Sequence, residues 1–201
     1  NIDIPQETSH TRHKGSILLH TYKVPLINPN TQETEYLLGI SEDISEQTLI
    51  KQKHEIRNHI LSLITTNASL QETLETLIQH IETSTHCICS ILLLDTEGKH
   101  FVEHYAISLP VHYTQALHHA EISSKAGSCG TAAYHKKRVI VTDIATDPLW
   151  ADYKELAASA NLAACWSEPI FNSSGYILGT FAMYRQTPYT PTEQDISTIV
   201  M

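Results

Sequence analysis

The sequence predicts an α+β fold, an antiparallel sheet flanked by helices, with a β-hairpin and a connecting helix ahead of it. Three observations predict it. Short apolar or alternating runs recur between turn-forming clusters, as at 87–94, Val139–Val141 and Ala164–Phe171. Stretches of helical period without Gly or Pro fill 46–65 and 70–81. Neighbouring strand-like runs are joined by turns short enough for antiparallel pairing, such as Asn172-Ser173-Ser174-Gly175.

Taken in order, residues 16–26 and 35–44 are rich in Ile, Leu, Tyr, Val and Thr, with the turn cluster Asn28-Pro29-Asn30-Thr31-Gln32 between them. They read as a hairpin. Two strands alone are marginal in water, so this hairpin is expected to pack on a segment outside the chain or on another chain. In 46–65, Leu49, Ile56, Ile60 and Leu63 recur at spacings of seven, four and three, which puts them on one stripe. Lys53 and Asn67 fall on the same stripe, where polar residues can fix register between two helices. Two readings stay open: an amphipathic helix lying on its own domain, and a parallel two-chain signalling helix, which the flanking segments favour.

Residues 70–81 form an amphipathic helix with Leu70, Leu74, Leu77, Ile78 and Ile81 on one face, and Ser69 with Glu72 as a capping box. Strands follow at 87–94 and 100–107, joined by the turn Asp95-Thr96-Glu97-Gly98. Residues 110–125 form a helical or looped wall. Gly127, Gly130 and the small residues Ser128, Thr131, Ala132 and Ala133 make a tight turn into a short helix, offering backbone N–H groups to a polar ligand. After Val139–Val141, Asp147 caps a helix whose first residue is Pro148. Cys165, Ser167 and Pro169 alternate with Trp166, Glu168 and Ile170 on the next strand, which a hairpin joins to 176–184. Thr190 as N-cap, Pro191 and Glu193 open the final helix.

Bulk properties exclude several classes. A net charge of −9 disfavours nucleic acid or an acidic membrane as partner, because both demand a basic face. The longest apolar run, 87–94, is far short of the ~20 residues a membrane span needs. Cys87, Cys89, Cys129 and Cys165 form no C-x-x-C pair and read as reduced, mostly buried thiols of a cytosolic protein. The histidines, among them His10, His13, His100 and His104, are scattered and match no zinc spacing. Opening on Asn1 and ending in Ser197-Thr198-Ile199-Val200-Met201, the chain is expected to be a piece of a longer protein.

The order and wording of Gly127-Ser128-Cys129-Gly130-Thr131-Ala132-Ala133, 139–144, Asp147-Pro148, Cys165-Trp166-Ser167-Glu168-Pro169-Ile170 and Gly179-Thr180-Phe181-Ala182 resemble the GAF family of small-molecule sensor domains. Residues 23–26 and 37–46, with Asp43-Ile44-Ser45, resemble the C-terminal end of a PAS domain. The resemblance implies three parts: 1–45 from a PAS domain, 46–65 as connecting helix, and 66–201 as GAF domain. It implies the sensor region of a cytoplasmic bacterial signal-transduction protein, homodimeric through its helices. An unidentified small ligand, or redox state, would control an output module in the same polypeptide. The wording is similar to domains preceding GGDEF or EAL modules of cyclic di-GMP turnover, with a histidine kinase as the alternative output.

The family's ligand lies on one sheet face beneath a helix-loop wall, here 110–125 and 147–162. Carried over, the pocket candidates are Cys129, Thr131, Trp150, Tyr153 and Trp166. Trp150 and Tyr153 would stack on a flat ligand, and Thr131 would fix its polar edge. Each also has a plain structural role open to it, Trp166 as core and Trp150 as the pin of its helix. No cofactor is named; a haem would need an axial histidine such as His112, His118 or His119. The Gly-x-Cys-Gly turn is also similar to free methionine-sulfoxide reductases. Their further catalytic cysteine has no counterpart in 145–153, and Cys165 is an uncertain substitute. Neither catalytic residues nor a metal site are expected of the chain itself; a pure dimerisation spacer is the remaining alternative.

Overall fold

The computed structural model describes residues 2–11 and 15–199. The chain divides into two compact units, Asn1–Leu61 and Ser62–Met201.

The first unit holds a three-stranded antiparallel sheet, β1 (Ile2–Thr11), β2 (Gly15–Ile27) and β3 (Thr34–Asp43), in that order. The expected hairpin is β2–β3, with Val24 opposite Leu38 and Tyr22 opposite Ile40. Its turn is held by Asn28, whose Oδ1 accepts the Asn30 N–H at 2.9 Å. The chain itself supplies a third strand that sequence reading does not give, because Pro5 and the polar run Gln6-Glu7-Thr8-Ser9 carry no apolar alternation. Ladder pairing alone recruits β1, with an irregularity between Ile4 and Glu7. The sheet nonetheless leaves much apolar surface open: Tyr36, Leu37, Leu38 and Ile40 are all exposed.

Helix α1 (Ser45–Thr65) starts where the Ser45 hydroxyl accepts the Leu18 N–H at 2.8 Å. Ile56, Ile60 and Leu63 are half-buried, while the side chains of Leu49 and Lys53, and all of His13, lie outside the described residues. Asn67 is not on the stripe. It adopts φ 57°, and the Ala68 N–H bonds the Leu63 carbonyl, so Asn67 is the left-handed residue that ends the helix.

The second unit is built on a five-stranded, wholly antiparallel sheet in the order β5-β4-β8-β7-β6, where β4 is Ile88–Leu94, β5 Phe101–Tyr105, β6 Val139–Val141, β7 Ala164–Phe171 and β8 Ile177–Arg185. The central strands are covered on both faces, which is why β4 and β8 read as continuous apolar runs. On one face lie α2 (Leu70–Thr85) and α6 (Glu193–Ile199), closing a core of Ile78, Ile81, Cys89, Ile91, Trp166, Phe181 and Met183. On the other lie α3 (Val111–Leu117), α4 (Gly127–His135), a 3₁₀ turn (Pro148–Trp150) and α5 (Lys154–Ser159) over Leu92, Val141, Cys165, Ala182 and Tyr184.

Capping follows the sequence at two ends and departs from it at a third. Ser69 accepts the Glu72 N–H at 3.1 Å, and Asp147 accepts the Leu149 N–H at 2.9 Å ahead of Pro148. At α6 the box is Thr192 with Asp195, not Thr190 with Glu193. The Asp195 carboxylate accepts the Thr192 N–H at 2.7 Å, and the Thr192 hydroxyl accepts the Asp195 N–H at 3.2 Å. Asp195 also accepts the Tyr189 hydroxyl at 2.7 Å, a third bond that settles the choice between the two threonines. The Gly127–Ala133 segment is itself the buried helix α4 rather than a turn leading into one.

Gly179 marks the tightest backbone approach. A Cβ there would lie 2.0 Å from the Leu92 carbonyl oxygen. Gly179→Ala must therefore spread β4 from β8, and is expected to cost about 2–3 kcal/mol by overpacking, read as a lowered urea midpoint. An unchanged midpoint would refute that contact.

Candidate functional site

A cavity opens between the sheet and the wall of short helices. Leu92, Phe101 and Tyr184 form its floor, α3 contributes Tyr113 and Leu117, and α4 contributes Ser128 and Cys129. Trp150, Tyr153 and Leu156 close the far side, with exposed Glu121 at the rim. Its empty volume is about 430 Å³ including the open mouth, of which about 30 Å³ would admit water-sized molecules. The walls therefore nearly meet.

Local sequence explains the arrangement. Gly127 holds φ +59°, which an L side chain rarely adopts, and it packs against the Trp150 ring, where a Cβ would make ordinary contact at 3.6 Å. The indole Nε1 donates to the Ser128 hydroxyl at 3.1 Å, and that hydroxyl donates to the Cys165 carbonyl at 3.4 Å. The Asp147 cap presents Trp150, and the Tyr153 N–H bonds the Trp150 carbonyl at 2.8 Å.

Of the residues singled out in the sequence, Cys129, Trp150 and Tyr153 line this cavity. Thr131 is 4% exposed and does not reach the lining; its hydroxyl has no partner within the protein. Trp166 lies on the opposite sheet face against Tyr189, in the core with α2 and α6. The alternation of β7 that separates Trp166 from Cys165 decides this: one of them had to face away from α4. His112, His118 and His119 are exposed and absent from the lining, so none is placed as an axial ligand. Among the described residues no group of histidines, cysteines and carboxylates could hold a metal ion.

Tyr184 and Tyr113 are the lining residues that sequence reading passes over. Their rings meet edge-on at 6.2 Å. The signal for Tyr184 was present in pairing: it stands opposite Cys165, so it must share the face that α4 covers.

A model of the GAF domain family matches residues 67–200. The chain belongs to the GAF family. It is 35% identical over 162 residues to the methyl sulfide methyltransferase-associated sensor of Methanosarcina acetivorans, covering 80% of this chain but 16% of that protein. The chain thus spans about a sixth of that relative's length. Among solved structures, a domain assigned to a two-component sensor histidine kinase of Sinorhizobium meliloti 1021 shares the fold, with TM-score 0.51 and 21% identity over 65% of this chain and 82% of that one. So does the free methionine-R-sulfoxide reductase of Neisseria meningitidis in complex with its substrate, with TM-score 0.53 and 17% identity over 72% and 80%.

Within this GAF domain the inner edge of the cavity carries an unusual concentration of protic groups. The Cys129 sulfur lies 3.6 Å from the Tyr184 hydroxyl, which is itself 3.1 Å from Ser90. Donation from the Cys165 thiol, aided by the Tyr184 hydroxyl and opposed by burial, brings the Cys129 thiol from 9.0 down to about 7. Burial and that same donation push the Cys165 thiol up. Burial likewise raises the Tyr113 and Tyr184 phenols.

Cys129 should accordingly be the reactive thiol of the four. Its modification by methyl methanethiosulfonate is expected to rise through a midpoint of about 7, with Cys87, Cys89 and Cys165 inert below pH 9.0. A midpoint at the ordinary thiol value would show that the surrounding donors do not serve the sulfur.

Proposed function

We propose that this GAF domain is a sensor that takes a small, flat, partly apolar molecule into the cavity beneath α3 and α5, or registers redox state, and relays it to an output module in the same polypeptide. The observation that carries the reading is the cavity itself. Aromatic walls from four separate elements converge on one polar edge, the composition of a small-molecule site. The sensor name of the Methanosarcina acetivorans relative supports the same class. Because the walls nearly meet, entry of a ligand must displace the short helices α3 and α5, which gives the protein two packings for a ligand to choose between.

In this reading residues 1–45 are the end of a PAS domain, 46–65 the connecting helix and 66–201 the sensor domain, working in the cytoplasm. The open apolar sheet of the first unit and the four unpaired thiols accord with it. The output is proposed to be a cyclic di-GMP synthase or hydrolase module, with a histidine kinase as the alternative. No cysteine stands in 145–153, where the reductase resemblance would put its further catalytic thiol, which favours sensing over sulfoxide reduction. Among the described residues no helix is long and apolar enough to cross a membrane.

Native mass spectrometry of the gently purified chain is expected to show an added mass that is lost on denaturation and absent from Trp150→Leu. A bare chain in both would count against a resident ligand. The same spectrum reads association. The proposed dimer through α1 predicts that Ile56→Asp with Ile60→Asp gives monomers; an unaltered assembly would place the contact elsewhere.

A further inference from the structure

Two thiols meet inside the core of the second unit. Cys129 stands in the first turn of α4 and Cys165 on β7, both buried in the same core cluster on the sheet face that α4 covers. Their surroundings hold them together. Ser128, the neighbour of Cys129, bonds the Cys165 carbonyl at 3.4 Å, and Tyr184, paired across the ladder with Cys165, bonds the Cys129 sulfur at 3.6 Å. The hydroxyls of Ser167 and Thr180 are fully buried and have no hydrogen-bond partner within the protein. A buried hydroxyl without a partner is costly. Cys87 and Cys89 sit in the core on the other sheet face and cannot join this pair.

We propose that Cys129 is a site of oxidation by small hydroperoxides, and that Cys165 resolves the product into an intramolecular disulfide between α4 and β7. Access supports the assignment of roles. Cys129 is 8% exposed and lines the cavity, whereas Cys165 is 0% exposed. The roughly 30 Å³ open to solvent-sized molecules has room for a couple of waters. It admits hydrogen peroxide and excludes a bulky disulfide such as oxidised glutathione.

The chemistry balances in two steps. The Cys129 thiolate attacks the nearer peroxide oxygen, forming a sulfur–oxygen bond as the oxygen–oxygen bond breaks. Sulfur loses two electrons, and the departing hydroxide or alkoxide takes up a proton to leave as water or an alcohol. The Cys165 thiol then gives up its proton and attacks the Cys129 sulfenic acid; a sulfur–sulfur bond forms, the sulfur–oxygen bond breaks, and water departs. Two thiols and one hydroperoxide thus yield one disulfide, one water and one further water or alcohol. A dithiol reductant reverses it.

The ionisable groups facing Cys129 are Cys165 from β7, Tyr184 from β8 and Tyr113 from α3, with Glu121 and Tyr153 farther out along the cavity. Of Cys129, Cys165, Tyr184 and Tyr113, only Cys129 changes charge near neutrality, since burial raises the other three. Oxidation should therefore run about tenfold faster at pH 8 than at pH 6, following the thiolate fraction of a group titrating at about 7.

The test uses the full 201-residue chain, fully reduced and then treated with hydrogen peroxide. Free thiols are blocked and tryptic peptides are mapped. The expected product is peptide 126–136 joined to peptide 155–185 with the loss of two hydrogens, reversed by dithiothreitol. In Cys165→Ser the reaction should stop at a sulfenic acid on Cys129, captured by dimedone. Cys129 left unmodified, a preferred Cys87–Cys89 link, or a rate indifferent to pH would each overturn the proposal. The wild-type map decides it by itself should the variant not fold.

Discussion

One hydrogen bond inside the core organises the second unit, that from the Trp150 indole to the Ser128 hydroxyl. Burying an indole N–H without an acceptor would cost several times what the bond contributes net. The bond therefore favours one packing of the 3₁₀ turn, the one in which α4 presents a small hydroxyl to the indole. Ser128 passes the constraint on to the Cys165 carbonyl of β7. Three elements far apart in sequence are thereby registered to one another, and the cavity is what remains between them.

The two sheet faces divide the labour. The face under α2 and α6 is filled with large apolar side chains, Trp166 and Phe181 among them, and holds the fold. Glu82 adds a polar clamp at its margin: one carboxylate oxygen accepts the Cys89 N–H at 2.8 Å, the other the Ser108 hydroxyl at 2.6 Å. The face under α4 instead mixes small residues with hydroxyls and thiols. Thr131, Ser167 and Thr180 all bury oxygens without partners there. On the α2 and α6 face the Trp166 indole N–H also lacks a partner, but among the described residues the buried hydroxyls without partners concentrate on the cavity side.

Most of the fold was legible because its signals are local. The Asp147-Pro148 cap, the Asn172 turn with Gly175 at φ +81° and the bounds of β7 follow from the residues on the spot. What escaped is what other parts of the chain decide. Pairing made β1 a strand in spite of Pro5 and a polar run, and the Tyr189 hydroxyl drew Asp195 into partnership with Thr192. The site was legible in the same measure. Cys129, Trp150 and Tyr153 announce themselves by residue type on the helix-loop wall. Tyr184 was passed over, and Trp166 was offered both as a pocket candidate and as core, because their roles depend on which face of the sheet each strand position serves. That assignment needs the ladder register, which no single segment contains.

The outer strand of the first sheet has a consequence for how the chain behaves in company. All ten residues of β3 are exposed, four of them large and apolar, along an edge that among the described residues is paired on one side only. An open edge of this kind is a template for any extended backbone that drifts against it. What guards it is electrostatic: Glu35, Glu42 and Asp43 lie along the strand, within a chain of net charge −9. Like-charged copies repel at low ionic strength and lose that protection as salt screens them. The edge most open to self-association thus lies far in sequence from the candidate cavity.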